Sequence, residues 1–345
     1  MMEIDGSMGE GGGQVLRTSL ALSAITGQSL HLYNIRAGRE KPGLQPQHME
    51  AVKAAAAICG GKVRGAALNS QQIFFEPGPL HAGRYRFDTG TAGAATLVLQ
   101  TVFLPLARAG SSSNLSLAGG THVPFAPCYQ YLERQWLATL LSCGMWARMS
   151  LEQAGFYPQG GGQMDVQIRS VASIQPLERL ERGSLVRIRG ISAVANLDEN
   201  IGRRQKLQAL RRLEPVCPDS KIETIHMPSP GKGTMLLLQA EFEQSSCCYF
   251  SLGSLGKRAE IVADEAVDAL LAFLATDGAV DEYLADQLLL PLALADGVSR
   301  LRTGRVTRHL LTNAAVIRRF LPAQITIEGS EGQPGTITIF PQNPA

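Results

Sequence analysis

The sequence contains little that points to secretion, to a membrane or to a metal–thiolate site. Its six cysteines include no Cys-x-x-Cys pair and do not form the dense framework that small secreted domains use. We therefore expect reduced, mostly buried thiols. The N-terminal residues lack a basic segment followed by an apolar run, so we expect no signal peptide. The most apolar stretch, 284–298, is too short to span a membrane and contains two aspartates and a proline. These absences favour a cytoplasmic protein.

A strong net charge and the common nucleotide-binding motifs are also lacking. The 32 basic and 30 acidic residues leave a net charge of +2, so any RNA contact must come from local patches. Segments 9–13 and 231–234 are rich in glycine but are not Walker motifs, and no lysine lies in a KxDG context. Apart from His309, the histidines are scattered without metal-ligand spacing. The length of 345 residues predicts two or three domains.

The 36 glycines form recurring clusters that suggest an internal repeat. Turns rich in Gly or Thr lie at 9–13, 89–93 and 160–162. The first two precede apolar residues at helical spacing, over 15–25 with a stop at Gly27 and over 97–104 before Pro105. Extended runs follow at 30–35 and 115–117. Repeated β/α units that cannot bury their apolar faces alone should stack side by side, so we predict an α/β (α+β) fold.

Residues 183–278 have a different pattern, which predicts an inserted α/β domain. Strand-like segments lie at 185–195 and 234–243, and helices are predicted at 200–213 and 257–275. The catalytic domain would then comprise 1–182 and 279–345. In its second part we expect helices near 280–294 and 310–321 and paired strands at 323–328 and 336–340. The basic 200–213 helix would either contact RNA or form an ordinary solvated face.

Two loops combine charge with glycine. In 9–17, Glu10 and Arg17 flank a flexible turn at a predicted helix N-terminus, where free N–H groups and the helix dipole suit a phosphate. Glu10 could hold a divalent ion and Arg17 a phosphate oxygen. The alternative is that the glycines only make a tight turn. In 36–44, Arg36 and Arg39 belong either to a rigid anion clamp or to a solvated loop.

The last quarter of the chain adds a polar helix face and a histidine. Tyr283, Asp286 and Gln287 lie at i, i+3 and i+4, hence on one face, and together suit a purine nucleotide. His309 begins an apolar helix, where its ring can face a cleft. A single histidine is more often structural than functional, but histidine is also a competent covalent nucleophile.

Together these segments resemble the RNA 3′-terminal phosphate cyclase family. The similar pieces span nearly the whole chain in order: GEGGGQVLR (9–17), RAGREKPGL (36–44), QTV (100–102), GGT (119–121), GFYPQGGG (155–162), EYLADQ (282–287) and HLLTN (309–313). The resemblance implies repeated β/α units like the C-terminal domain of translation initiation factor three. It also implies an ATP-dependent conversion of an RNA 3′-phosphate to a 2′,3′-cyclic phosphate, through histidine-AMP and RNA(3′)pp(5′)A intermediates.

Residue by residue, the resemblance implies the following site. His309 matches the adenylylated histidine, and Glu10 matches the carboxylate that binds Mg²⁺ or Mn²⁺. Arg17, Arg36 and Arg39 would hold phosphates. The ATP pocket would include Gln100, Pro127, Tyr131, Tyr283, Leu284, Ala285, Asp286 and Gln287. The implied partner is RNA with a 3′-phosphate end, and the sequence allows a homodimer.

The chain departs from the family pattern at a few positions. His122 stands where the family usually has an acidic residue, Cys128 replaces a proline, and Thr307-Arg308 replaces a smaller neutral pair. These departures bear on the adenine pocket and on the approach of the RNA. Two other readings are a non-enzymatic ribosome-assembly protein of the same fold, whose members lack the histidine, and an enzyme like the enolpyruvyl transferases, which needs no covalent nucleotide.

Overall fold

The structure is a computed structural model that describes residues 1–341. Within those residues, sixteen strands form four four-stranded sheets, and helices cover the sheets, so the predicted α/β class is confirmed. None of the helices in residues 1–341 is long and apolar enough to cross a membrane. The six cysteines are free, and five of them are buried.

The first sheet belongs to the β/α unit that includes the first glycine-rich turn, 9–13. Its unit consists of β1 (Met2–Asp5), α1 (Gly13–Thr26), β2 (Leu30–Tyr33), α2 (Pro46–Cys59), β3 (Lys62–Arg64) and β4 (Ile73–Glu76). The strand order is β1-β2-β4-β3, with β1 and β2 parallel and β4 antiparallel to both of its neighbours. Helix α1 ends just before Gly27, the predicted stop, which adopts a left-handed conformation with φ +70°.

The second sheet repeats this arrangement. Its unit consists of β5 (Arg84–Asp88), α3 (Ala95–Ala107), β6 (Ser113–Gly119), a helical stretch, β7 (Ala147–Gln153) and β8 (Gly162–Ile168). The stretch comprises α4 (Tyr129–Tyr131), a π-helical segment (Leu132–Trp136) and α5 (Leu137–Ser142). The strand order is β5-β6-β8-β7. Helix α3 continues through Pro105, where we had expected it to end, because the residues around the proline are buried and packing offsets one lost hydrogen bond.

The third sheet is assembled from distant parts of the chain. Its unit consists of β9 (Glu178–Arg179), α8 (Glu282–Leu292), β14 (Ser299–Thr303), α9 (Arg308–Phe320), β15 (Gln324–Glu328) and β16 (Gly335–Phe340). Strand β9 is parallel to β14, and the order β9-β14-β16-β15 repeats that of the first two sheets. The helices and paired strands predicted for this part of the chain are therefore present.

The fourth sheet lies between β9 and α8 in the sequence. Its elements are β10 (Leu185–Ala195), α6 (Glu199–Leu213), β11 (Lys221–His226), β12 (Gly233–Phe242), β13 (Ser246–Leu252) and α7 (Ala259–Leu274). Residues such as Ile188, Leu236 and Leu270 form a separate hydrophobic cluster beneath α6 and α7. Ile191 and Leu237, on the same two strands, instead join the main core. Strands β11 and β13 were not predicted, because Lys221–His226 is mostly exposed and Ser246–Leu252 mixes polar and apolar residues.

Candidate active site

The glycine-rich turn 9–13 packs against the first turns of α9. Gly9 and Gly11 have φ values of +55° and +59°, which side chains rarely tolerate. A Cβ added to Gly9 would overlap Oγ1 of Thr312, and the same hydroxyl accepts a hydrogen bond from the Glu10 N–H at 3.1 Å. The glycines therefore do make a tight turn, and that turn presents Glu10 to α9.

His309 is the second residue of α9, where its ring can reach the turn. Thr307 caps the helix by accepting a hydrogen bond from the Leu310 N–H at 3.1 Å. The His309 side chain is 50% exposed, and its Nε2 atom lies 2.6 Å from Oε2 of Glu10. Its Nδ1 atom is hydrogen-bonded to Oε1 of Gln14, in the first turn of α1. Both ring nitrogens are thus engaged by the 9–17 motif.

Asp286 on α8 holds the other end of Gln14. The amide nitrogen of Gln14 donates to Oδ1 and Oδ2 of Asp286 at 2.6 and 2.8 Å. Asn313 donates to the backbone carbonyl of Asp286 at 3.0 Å and accepts from Thr18 at 2.7 Å. Side chains of α1, α8 and α9 therefore form one connected network, which no single sequence segment could show.

Arginines surround this network in different ways. Arg39 forms an ion pair with Oε1 of Glu10. Arg36 donates to the Lys41 and Gly43 carbonyls at 2.5 and 3.0 Å, so its guanidinium is engaged by its own loop. The pKa of Arg17 is lowered to about 10, mainly by burial; Asp286 opposes the shift and Arg36 adds to it. Arg17 therefore remains positively charged at neutral pH.

The charges around His309 act on its titration. Burial lowers the pKa of the imidazole; Asp286 opposes that shift, and Arg17 and Arg39 add to it. Burial also raises the pKa of Asp286, while His309 is the strongest influence in the opposite direction. We expect the lowered histidine pKa to favour the neutral imidazole near pH 7, which is the nucleophilic form.

Two residues of the site were missed from the sequence. Gln14 lies four residues before Thr18 on one polar stripe of α1, but the 9–17 motif alone predicts no role for it. His48 is 3% exposed beneath the turn, and a Cβ on Gly13 would overlap its Nε2. Burial, with Arg17 and Arg36, lowers the pKa of His48 to about 3. The i, i+3 and i+4 spacing that places Tyr283 and Asp286 on one helix face also places Gln14 on one face with Thr18, and could have indicated a role for Gln14. No local sequence pattern indicates a role for His48.

The residues expected around a nucleotide base lie at different depths. Tyr283 is 51% exposed, whereas Tyr131 is 1% exposed and its hydroxyl donates to Asp281 at 2.9 Å. The two rings are perpendicular, with centroids 6.5 Å apart. Tyr283 therefore offers the more accessible ring, supported from below by Tyr131. The remaining members of the group are the buried Leu284 and Ala285 and the half-buried Gln100, Pro127 and Gln287.

Gln287 has a feature that suits a ligand. Its Oε1 atom is buried, and it has no hydrogen-bond partner among residues 1–341. A buried amide oxygen without a partner is uncommon and is usually satisfied by water or a ligand. This observation fits the expected place of Gln287 in a nucleotide pocket.

Metal binding at this site would depend on Glu10. In the part of the chain that the structure describes, no cluster of three or more His, Cys, Asp or Glu side chains could hold an ion. A single carboxylate among arginines fits Mg²⁺ or Mn²⁺ that takes its other ligands from water and phosphate oxygens. The donor set is thus compatible with an ion that arrives with a phosphorylated substrate.

The departures from the family pattern have structural partners here. His122 is 1% exposed and bonds Thr121 Oγ1 at 2.8 Å and Gln130 Oε1 at 2.6 Å. Cys128 is fully buried, Thr307 caps α9, and Arg308 lies 3.4 Å from Glu331. Each substituted side chain therefore has local contacts that do not involve His309.

The basic helix α6 is partly neutralised by α7. Arg204 pairs with Glu260 at 2.7 Å, and Arg212 contacts Asp264 at 3.1 Å and Asp268 at 2.6 Å. These pairs engage two of the five cations on which an RNA-binding role would depend, which are Arg203, Arg204, Lys206, Arg211 and Arg212. They favour the alternative of a charged helix that packs against its neighbour.

Comparison with known proteins defines the class of protein first. The family model described as "RNA 3'-terminal phosphate cyclase" matches residues 8–327. The chain therefore belongs to the RNA 3′-terminal phosphate cyclase family, which is a family of enzymes.

Individual relatives give the same result over almost their full lengths. Proteins named "RNA 3'-terminal phosphate cyclase" are 45% identical over 338 residues in Nostoc punctiforme and 42% over 334 residues in Gloeothece citriformis. The first alignment covers 96% of this chain and 97% of the relative, and the second covers 95% of each. The enolpyruvyl transferase NikO from Streptomyces tendae superposes with a TM-score of only 0.27 and 8% identity, over 99% of this chain and 66% of that one.

Proposed function

We propose that this chain converts an RNA 3′-terminal phosphate to a 2′,3′-cyclic phosphodiester in an ATP-dependent reaction. The names of the relatives support the substrate and the cyclisation. The observation that carries the nucleotide-transfer step is the half-exposed His309, with Nδ1 bonded to Gln14 and Nε2 directed toward Glu10 among arginines. A ribosome-assembly protein would have no use for such a histidine.

The proposed reaction has three displacements at phosphorus. Nε2 of His309 attacks the α-phosphorus of ATP, the bond to the bridging oxygen breaks, and pyrophosphate leaves. An oxygen of the RNA 3′-phosphate then attacks the same phosphorus and displaces the histidine, which gives RNA(3′)pp(5′)A. Finally the vicinal 2′-OH attacks the 3′-phosphorus, loses its proton, and expels AMP. The covalent step divides one difficult displacement into easier ones.

Phosphate binding in this proposal falls to the cations around Glu10. Arg17 and Arg39 would neutralise phosphate oxygens of ATP or of the RNA end, and Arg36 would act by fixing the shape of the 36–44 loop. Mg²⁺ or Mn²⁺ bound to Glu10 would neutralise charge on the ATP phosphates. Glu10 must then leave Nε2 of His309, which frees that nitrogen for attack.

We assign the nucleotide pocket to the polar face of α8 and its neighbours. The exposed ring of Tyr283 would stack on the adenine, with Tyr131 and Pro127 behind it, and the amides of Gln100 and Gln287 would supply polar contacts. Leu284 and Ala285 would form the buried floor. Asp286 would act through Gln14.

We also propose a domain division and a setting for the reaction. The shared strand order of the first three sheets supports repeated β/α units like the C-terminal domain of translation initiation factor three. The catalytic domain would be 1–182 and 279–345, of which 342–345 lie outside the described residues, with 183–278 inserted. We place the reaction in the cytoplasm. Sedimentation of the purified chain would test for a homodimer.

One experiment tests the proposed activity directly. An RNA whose 3′-terminal phosphate is radiolabelled is incubated with the protein, Mg²⁺ and ATP. The label should become resistant to phosphatase and should migrate as a 2′,3′-cyclic phosphate after nuclease digestion. An RNA with a 2′-deoxy 3′-phosphate end, which lacks the attacking hydroxyl, should give no cyclic phosphate and should stop at RNA(3′)pp(5′)A. Equal conversion without ATP would contradict the proposal.

A further inference from the structure

The contact between Gln14 and Asp286 determines the orientation of the Gln14 amide. A carboxylate only accepts hydrogen bonds, so the two short contacts to Asp286 require the NH₂ group of Gln14 on that side. The carbonyl oxygen of Gln14 must then face His309. The reverse orientation would place two acceptors against each other at both carboxylate oxygens.

This orientation constrains the histidine ring in turn. The Gln14 oxygen can only accept, so the His309 Nδ1 atom that it contacts must carry a proton. The carboxylate of Glu10 also only accepts, so Nε2 carries a proton too while Oε2 of Glu10 lies 2.6 Å from it. Once Glu10 has left Nε2 and the ring is neutral, its single proton lies on Nδ1, and Nε2 holds the free electron pair. In a neutral imidazole, the hydrogen bond that one ring nitrogen makes determines which of the two nitrogens carries the proton.

We propose that Gln14, held by Asp286, is a positioning residue that keeps the proton of the neutral His309 ring on Nδ1 and leaves Nε2 as the attacking nitrogen. The inference rests on the proposed function for its catalytic meaning. It also gives Asp286 a different task from direct nucleotide binding, because both of its carboxylate oxygens are occupied by Gln14.

The surroundings of Asp286 keep this pair in place. Asn313 donates to the Asp286 carbonyl at 3.0 Å, and Thr18 donates to the Asn313 side chain at 2.7 Å. Thr18 and Asn313 are buried, at 7% and 4% exposure. Thr18 and Asn313 therefore link α8 to α1 and α9 next to the Gln14 amide, whose orientation must be fixed.

Gln28 offers a matched control at the other end of the same helices. Its side-chain nitrogen donates to the Phe320 carbonyl at the end of α9, at 3.2 Å. Gln28→Leu removes a glutamine contact to α9 without touching His309. Gln14→Leu removes the contacts of Gln14 with His309 and Asp286 while keeping a side chain of similar size. Asp286→Asn allows the Gln14 amide to turn around.

The test combines ring-nitrogen NMR with enzyme–AMP formation. In ¹⁵N-histidine-labelled protein, the His309 signals are assigned as those lost in His309→Asn. The spectra are recorded with Glu10→Ala in every protein, which removes the competing carboxylate from Nε2, and the rates are measured with Glu10 intact. At a pH where the ring is neutral, the parent protein and Gln28→Leu should then show protonated Nδ1 and bare Nε2. Gln14→Leu and Asp286→Asn should lose this preference. Their rate constants for enzyme–AMP formation at saturating ATP should fall by at least about tenfold, with little change in the KM for ATP.

The possible outcomes separate this inference from the proposed function. If Gln14→Leu and Asp286→Asn keep both the native tautomer and the native rate, the positioning role is wrong. A rise in KM with an unchanged rate constant would also overturn it, since that result means a loosened pocket. If the tautomer shifts as expected but the native protein never takes up AMP, the positioning role of Gln14 is confirmed and the proposed function is wrong. Asp286→Asn keeps the test available should Gln14→Leu not fold.

Discussion

The turns that precede α1 and α3, 9–13 and 89–93, are both rich in glycine or threonine but make different contacts. Gly9 and Gly90 both have positive φ values, and each turn leads into a buried helix. In the first turn, Glu10 and its neighbours reach His309 on another unit of the fold. In the second, Thr89 Oγ1 contacts the Thr91 and Gly93 carbonyls of its own turn, at 3.0 Å each.

The comparison teaches that a turn sequence specifies where a helix begins and not what the turn does. In the second turn, the hydroxyl of Thr89 is satisfied by carbonyls of the same turn. The first presents the Glu10 carboxylate to His309 and to Arg39. Its function therefore follows from tertiary contacts that the local sequence does not contain.

The largest expected loss of activity comes from removing Glu10, the residue that distinguishes the first turn from the second. Glu10→Ala should lower enzyme–AMP formation by at least about 100-fold at ordinary Mg²⁺, because the ion would lose its protein ligand. High Mn²⁺ should restore part of the rate. Thr89→Val in the second turn is the control and should leave the rate of the folded protein unchanged. Full activity of Glu10→Ala would remove this residue from the site.

A smaller effect should separate binding of the RNA end from binding of ATP. Arg39→Ala should lower turnover of 3′-phosphate RNA about tenfold, and by more than it lowers enzyme–AMP formation, if the 36–44 loop clamps the RNA. Rates of the two steps are measured separately with labelled ATP and labelled RNA. Equal losses in both steps would mean that the loop serves ATP.

Alanine at the two turn glycines should affect stability unequally. Gly9→Ala combines a strained backbone with an overlap at Thr312 and should lower the free energy of unfolding by about 2–4 kcal/mol. A Cβ on Gly90 meets nothing within 4 Å, so Gly90→Ala should cost only about 1 kcal/mol. Urea denaturation measures both values. Equal losses would mean that the contact with α9 does not constrain the first turn.

An effect that is confined to acid pH concerns the buried His122. Burial lowers its folded-state pKa to about 4, below the ordinary 6.5, so the unfolded state binds the proton first as pH falls. This contribution to stability is complete above pH 6.5 and is lost between pH 6.5 and 4, by about 1.4 kcal/mol per pH unit. His122→Gln should flatten the stability curve in that window relative to the native protein. His226→Gln, which removes an exposed histidine of β11, is the control variant.

Much of the fold was predictable from the sequence. Helices α1 and α9 and strand β10 follow directly from apolar spacing and stop signals, within one or two residues. Strand β11 escaped because its residues are mostly exposed and do not alternate clearly. Pro105 wrongly predicted the end of α3. The free-energy cost of a proline inside a helix can be read from the local sequence, but the burial that offsets this cost depends on tertiary packing.

The site was predictable only in part. The identities of Glu10, Arg39 and His309 came from motifs, and the structure brings these three together. The link from Asp286 through Gln14 to His309 joins residues up to 295 positions apart in the sequence. Such a link depends on how α1, α8 and α9 pack, so helical spacing could nominate its members but not connect them.

The most direct test of the account is the location of the covalent nucleotide. The protein is incubated with Mg²⁺ and ATP labelled at the α-phosphate, and the labelled peptide is mapped by mass spectrometry. The account predicts one acid-labile, alkali-stable AMP on His309, with a rate that declines at a pH below 6.5 because the pKa of the ring is lowered. His309→Asn should fold and take up no label, yet still cyclise some RNA that is already adenylylated. A folded His309→Asn protein that still becomes labelled would contradict the account.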